Sequence, residues 1–169
     1  METKQPIQKE SKPNLHIKNG NIFSVTDIFD LSITDWKNKH RFSLHLVKKD
    51  ENDQRWYSWA EYKTDKEGNF SILESPSLGG SYKGTDFKGL FWSLQPFSEA
   101  NQPFILQIEM LSRKLETNHI LIILEDEGRV VASKKLVYNR HRNPITEIRI
   151  DEKKTKGTLF LPQDRKSVV

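Results

Sequence analysis

The stretch Phe42-Ser43-Leu44-His45-Leu46 alternates apolar and polar side chains with a period of two residues. A β-strand turns successive side chains to opposite faces, so the pattern predicts a strand whose apolar face carries Phe42, Leu44 and Leu46. His45 falls on a polar position, and the alternation therefore places it on the solvent face. The same period predicts strands at residues 30–34, 146–150 and 158–161.

Two further stretches extend this pattern. Residues 120–124 (Ile-Leu-Ile-Ile-Leu) form a continuous apolar run, which is typical of a short strand buried on both faces. Another predicted strand places four apolar side chains on one face: Phe104, Leu106, Ile108 and Met110. Helical signals are confined to single turns at residues 98–100 and 110–115. Many short strands without a long helix predict an all-β sandwich of about seven to nine strands, with a barrel as the alternative.

The composition restricts the compartment. The 169 residues include no cysteine, so disulfides, thiolate nucleophiles and cysteine metal sites are excluded. The longest apolar run has five residues, far fewer than the roughly 20 that span a bilayer, so no membrane partner is expected. The first 20 residues contain no apolar signal segment. We therefore expect a cytoplasmic protein.

The charge distribution argues against a nucleic-acid partner. The formal net charge is +4, but Asp and Glu are interleaved with the basic residues, as in Lys48-Lys49-Asp50-Glu51. The densest basic stretches, Arg140-His141-Arg142 and Lys153-Lys154-Thr155-Lys156, are short. A nucleic-acid-binding domain usually concentrates its basic residues on one face, and this sequence indicates solvated turns instead.

No residue pattern indicates catalysis, a metal or a cofactor. The five histidines have no metal-ligand spacing, and no Gly-x-Ser-x-Gly elbow is present. In Lys83-Gly84-Thr85 the residue order is the reverse of a phosphate-binding loop, so a glycine-rich turn between strands is expected. Glu125, Asp126 and Glu127 fall in a turn signal, where we expect them to be exposed and without perturbed pKa values.

An aromatic strand is predicted at residues 55–62. Trp56 and Tyr62 share one face of it, while Tyr57 and Trp59 share the other. We expect one face to pack in the core and the other to form an interface.

One segment resembles the signature of a known family. Residues 77–84 (Ser-Leu-Gly-Gly-Ser-Tyr-Lys-Gly) and 89–96 (Gly-Leu-Phe-Trp-Ser-Leu-Gln-Pro) are similar to the amino-terminal domain of the acyl-CoA thioesterase and bile acid-CoA:amino acid N-acyltransferase family. Residues 56–62, 68–72 and 157–162 resemble neighbouring family strands. Thr85, Phe87 and Lys88 depart from the usual Val, Pro and Met.

The resemblance implies an immunoglobulin-like β-sandwich that packs beside the active site of an α/β-hydrolase domain, which would be its partner. That domain would hold the nucleophile, the aspartate and the histidine, and it would bind acyl-CoA. The implied organisation is a flexible arm at residues 1–12, an accessory domain at 13–162 and a linker at 163–169 that leads into the missing domain. The family motif supplies the candidate interface, at Gly79, Gly80, Ser81, Tyr82, Gly84, Gly89, Leu90, Phe91, Trp92, Ser93 and Pro96.

Two functions follow as hypotheses. The first is a non-catalytic accessory domain of an acyl-CoA thioester hydrolase or acyl-CoA:amino acid N-acyltransferase. The second is a free-standing β-sandwich module that binds a protein or glycan partner. With either function, Trp92 is a candidate anchor of the interface, and the exposed docking face would favour self-association of the isolated domain.

Overall fold

The computed structural model describes residues 12–18, 20–24, 26–98, 106–139, 145–152 and 155–162. The predicted arm (except Lys12), the linker at 163–169, most of the predicted turn at 98–100, Phe104, and the basic clusters at 140–142 and 153–154 lie outside these ranges. The described elements are β1 (Asn14–Ile17), β2 (Ile22–Ser24), β3 (Leu31–Thr34), β4 (Arg41–Lys49), β5 (Arg55–Lys63), β6 (Phe70–Ser71), β7 (Gly79–Gly80), α1 (Gly89–Trp92), β8 (Gln95–Pro96), α2 (Leu106–Arg113), β9 (His119–Asp126), β10 (Arg129–Asn139), β11 (Ile145–Glu152) and β12 (Thr155–Pro162).

The described strands form two packed sheets and a separate hairpin. The smaller sheet has the order β1-β3-β6, and the larger has the order β2-β10-β9-β4-β5, with β7 and β8 both paired to β5. Neighbouring strands are antiparallel except β2 and β10, which are parallel. Strands β11 and β12 pair with each other. The predicted all-β sandwich is confirmed, and the short β6, β7 and β8 raise the number of described strands above the predicted one.

The main core lies between the two sheets. Leu31 and Ile33 of the smaller sheet meet the apolar face of β4, where Phe42, Leu44 and Leu46 are all buried. The run at residues 120–124 is buried on both faces of β9, as predicted, because its even-numbered residues enter this core and its odd-numbered residues enter a second cluster.

The second cluster lies on the opposite face of the larger sheet. Ile108 and Leu115 pack there against Val47, Tyr57 and other apolar side chains of the sheet. The strand predicted through Leu106, Ile108 and Met110 is wrong, because these residues belong to helix α2. Ile108, Ser112 and Leu115 follow the helical period and are buried, whereas Met110 is exposed.

The aromatic strand β5 is covered on both faces. Tyr62 lies in the main core, as one face of the prediction requires. Tyr57 is buried in the second cluster, with Trp59 packed against it, so the interface predicted for that face is wrong.

Candidate functional site

The motif segment, residues 79–96, leaves strand β5 and returns to it. Its first end is β7, which pairs with Ala60 and Glu61 of β5. Its second end is β8, which pairs with Trp56 and Tyr57 of the same strand. Helix α1 lies between the two ends, so the predicted site residues are brought together along one edge of the larger sheet.

The glycines at the start of the motif segment permit a close backbone approach. Gly80 has a φ of +111°, and a Cβ atom at this position would lie 2.5 Å from the carbonyl oxygen of Trp59. The amide of Ser81 donates to that oxygen at 2.8 Å, and the Trp59 amide donates to the Ser81 hydroxyl at 3.1 Å. Gly84 pairs with Ser77 in a β-bridge. This confirms a glycine-rich turn, in which the Ser81 hydroxyl has a structural hydrogen bond.

Tyr82 anchors the middle of the motif segment. Its ring is buried, and its hydroxyl forms a hydrogen bond with the hydroxyl of Tyr62. A Cβ atom at Gly89 would lie 2.2 Å from the Tyr82 ring, so only glycine leaves room for this packing. Burial raises the pKa of the Tyr82 hydroxyl, and that of Tyr62 also lies above its ordinary value. Both phenols therefore remain protonated at neutral pH.

Helix α1 turns one aromatic side chain inward and another outward. Phe91 stacks on Phe23 with ring centroids 4.7 Å apart, and Leu90 is fully buried. Trp92 is 62% exposed, yet its Nε1 atom donates to Oδ2 of Asp86 at 2.9 Å. The motif segment therefore presents an oriented indole ring on its surface.

Asp126 lies in a buried cluster that contradicts the predicted exposure of this turn. Its Oδ1 atom is 2.7 Å from Nε2 of His40, and Nζ of Lys37 donates to Oδ2 at 3.1 Å. Burial acts to raise the pKa of Asp126, but the hydrogen bonds from His40 and Lys37 outweigh it and hold the pKa below its usual range. Glu127, in the same turn, is exposed as expected.

We expect Asp126→Asn to lower the free energy of unfolding by about 1 to 3 kcal/mol at neutral pH, because two cationic donors lose a charged acceptor. A depressed carboxyl pKa contributes stability above the ordinary pKa, and this stability is lost as the pH falls through the folded-state value. The variant should therefore lose less stability than the parent chain on acidification, as measured by urea unfolding between about pH 3 and pH 7. Exposed Glu127→Gln is the control, and identical acid limbs in all three proteins would contradict the assignment.

His45 is buried, so its predicted position on the solvent face is wrong. Its Nδ1 atom is 2.7 Å from the hydroxyl of Tyr57, and its Nε2 atom is 3.5 Å from Oε2 of Glu125. The ring also stacks near Trp59, at a centroid distance of 6.3 Å. A hydrogen bond with His45 is the main reason that the pKa of Glu125 lies below its usual range. The second cluster covers this face of β4, which the alternation could not reveal.

The comparison with known families is decisive at this point. Residues 27–152, which include the whole motif segment, match the family model described as the acyl-CoA thioester hydrolase/BAAT N-terminal region. The chain belongs to this family. The resemblance noted in the sequence is thereby confirmed.

Curated relatives carry the same region within longer proteins. The bile acid-CoA:amino acid N-acyltransferase of Homo sapiens is 30% identical over 133 residues, which cover 71% of this chain and 30% of the relative. Acyl-coenzyme A thioesterase 5 of Mus musculus is 26% identical, with 71% of this chain and 28% of the relative covered. The peroxisomal succinyl-coenzyme A thioesterase of Mus musculus is 27% identical, with the same two shares. This chain thus spans less than a third of the length of these relatives.

The rest of this family region shows how the other candidate chemistry is arranged. Within the described ranges, no three His, Asp or Glu side chains are grouped so that they could hold a metal ion. None of the helices that the structure describes is long and apolar enough to cross a membrane. The titratable groups that sequence reasoning missed, His40 with Asp126 and His45 with Glu125, form internal polar pairs of the sandwich.

Proposed function

We propose that this chain is the non-catalytic N-terminal accessory domain, with bounds 13–162, of an acyl-CoA thioester hydrolase or an acyl-CoA:amino acid N-acyltransferase. The observation that carries the proposal is the exposed, oriented indole of Trp92 within the family motif. The motif segment packs beside the active site of an α/β-hydrolase domain, and residues 163–169 connect the two. Acyl-CoA then reaches this chain only through the whole enzyme.

The arrangement of the motif segment supports docking. Gly80, Tyr82 and Gly89 fix its backbone against β5, so a partner would meet a preorganised surface. Large aromatic side chains dominate the energetics of protein interfaces, and Trp92 is the largest exposed apolar side chain of the segment. The hydroxyl of Ser81, the one candidate nucleophile weighed in the sequence, is held against the backbone of Trp59.

A thioester hydrolysis assay tests the non-catalytic assignment. The 169-residue chain, incubated with medium-chain and long-chain acyl-CoA, should release no free CoA above the background without protein. A thioesterase from Mus musculus, such as the acyl-coenzyme A thioesterase 5 noted above, serves as the positive control. Turnover by this chain would contradict the proposal.

Trp92→Ala is expected to separate docking from folding. In the 169-residue chain its free energy of unfolding should change by no more than about 0.5 kcal/mol, because the indole is mostly exposed. In the polypeptide that carries the catalytic domain, the variant should weaken domain association, which limited proteolysis at the linker would detect. Met110→Ala is the matched control, because Met110 is 59% exposed on α2, outside the motif. Equal protease sensitivity of the two variants would count against docking through Trp92.

The coding sequence beyond Val169 distinguishes the accessory domain from a free-standing binding module. A reading frame that continues to a Gly-x-Ser-x-Gly or Gly-x-Cys-x-Gly elbow supports the accessory domain. An in-frame stop supports the binding module, for which gel filtration of the isolated chain should then reveal any self-association.

The proposed location of the whole enzyme is the cytoplasm. The names of two relatives specify other compartments, peroxisomal for one and mitochondrial for another. Fluorescence microscopy of the tagged full-length protein tests the proposal, and an organellar signal would overturn it.

A further inference from the structure

A small groove opens beside helix α1, with a volume of about 270 Å³. Its apolar walls combine three residues of the motif segment with two from other strands: Phe91, Trp92, Leu94, Phe23 and Tyr138. Lys48 and Lys88 also line it, and together these side chains define the aromatic groove. Phe23, Lys48 and Tyr138 have no place in the family motif, so the groove is a feature that the motif alone does not indicate.

The floor of the aromatic groove is built from packed rings. Phe23 stacks on Phe91, and the ring centroid of Tyr138 lies 6.3 Å from that of Phe23. Phe23 is 3% exposed and belongs to the main core, so this floor is fixed by the sandwich itself. A preformed apolar surface of this kind favours the burial of an aliphatic chain.

The charges at the aromatic groove are of one sign. Lys48 and Lys88 are the charged side chains among its lining residues, and Nζ of Lys48 is held 4.2 Å from the ring centroid of Tyr138. Asp86 is the carboxylate next to Trp92, and it already accepts hydrogen bonds from the Trp92 indole and the Lys88 amide. The groove therefore presents apolar rings together with two ammonium groups.

The size of the groove limits its ligand. At roughly 30 Å³ per heavy atom, the volume that one water molecule takes up in the liquid, 270 Å³ accommodates about nine atoms. We propose that the aromatic groove binds a medium-chain aliphatic carboxylate of about eight carbons. The hydrocarbon tail lies on the rings of Phe23, Phe91 and Tyr138, and the carboxylate pairs with Lys48 and Lys88. This site belongs to the chain itself and does not depend on a catalytic domain.

Calorimetric titration of the 169-residue chain with a series of carboxylates tests the chain-length requirement. Octanoate should bind with a dissociation constant of roughly 0.1 to 1 mM, as expected for a ligand of this size. Affinity should rise about fourfold per added methylene from hexanoate to octanoate, then level off at decanoate because the cavity is filled. A rise that continues unchanged to dodecanoate would indicate unspecific adsorption and overturn the proposal.

Uncharged and cationic ligands of equal length test the charge requirement. Octanol should bind about tenfold more weakly than octanoate, and octyltrimethylammonium should not bind measurably. Equal affinity of octanol and octanoate would remove the role of the lysines. A short acidic aromatic peptide that binds where octanoate does not would make the groove a protein-docking surface, which also overturns the proposal.

Variants of the two lysines locate the site. Lys48→Gln and Lys88→Gln should each weaken octanoate binding about threefold to tenfold. Lys63→Gln, at the far end of the β4–β5 pair and exposed, is the matched control and should leave the affinity unchanged. Because Lys48 lies outside the motif segment, its variant tests the groove without altering the docking surface proposed for Trp92. Equal affinities of the Lys48 and Lys63 variants would contradict the proposed site.

Discussion

Replacing Gly80 with alanine is expected to lower the free energy of unfolding by about 3 kcal/mol or more. The backbone of Gly80 has a φ of +111°, a conformation that side chains of the L configuration rarely adopt. The added Cβ atom would also lie 2.5 Å from the carbonyl oxygen of Trp59, inside van der Waals contact. Because that oxygen accepts the Ser81 amide within a paired strand, the backbone has little freedom to retreat.

Gly84→Ala provides a control within the same turn. Gly84 has a φ of +102°, but a Cβ atom there would meet nothing within 4 Å. The substitution should therefore cost only the backbone strain, about 1 to 2 kcal/mol. Urea unfolding of both variants measures the difference, which reports the steric contact at Trp59. Equal losses in the two variants would show that the close approach of β7 to β5 is not needed for stability.

His45→Ala is expected to lower the free energy of unfolding by about 3 kcal/mol. The substitution removes a fully buried ring and leaves the hydroxyl of Tyr57 without its hydrogen-bond partner in the same site. Glu125 also loses the partner that holds its pKa low, so its carboxyl should titrate closer to the ordinary value. Urea unfolding and carboxyl titration by NMR measure the two effects.

His16→Ala is the matched control for this substitution. His16 is an exposed histidine on β1, and its replacement should change the stability by less than about 0.5 kcal/mol. His45→Gln should recover part of the loss, because a side-chain amide can still bond to the Tyr57 hydroxyl. A stability loss below about 1 kcal/mol for His45→Ala would place the ring at the surface, as the sequence alternation predicted.

The strands of the central sheet were predictable because their pattern has one interpretation. Phe42, Leu44 and Leu46 repeat every two residues, and the run at residues 120–124 is too short for a helix that is apolar all round. Both occupy the positions expected of them in the main core. The alternation does not, however, indicate what covers the second face of the sheet.

Helix α2 explains both errors on that second face. Leu106, Ile108 and Met110 alternate as in a strand, while Ile108 and Leu115 share a helical spacing of seven residues. Local pattern alone does not choose between these periods, and packing against the larger sheet favours the helix. Because α2 covers this face, His45 is buried at a position where polarity predicts exposure.

The candidate site was only partly predictable. The glycines and aromatic residues of the motif segment were identified from the sequence, since close approach and large side chains have characteristic residue types. The pair of His40 and Asp126 was missed because the two residues are 86 positions apart and meet only through the register of β4 and β9. The aromatic groove was missed for the same reason, as its walls come from separate strands.

The return of the motif segment to β5 has a consequence for solubility. An uncovered strand of nine residues would offer its free amide and carbonyl groups to another molecule, which is how sheets polymerise. Here β7 occupies one end of that edge and β8 the other, and Pro96 brings no backbone donor to it. If this segment were released while the core stayed folded, neighbouring molecules could join edge to edge and aggregate without unfolding.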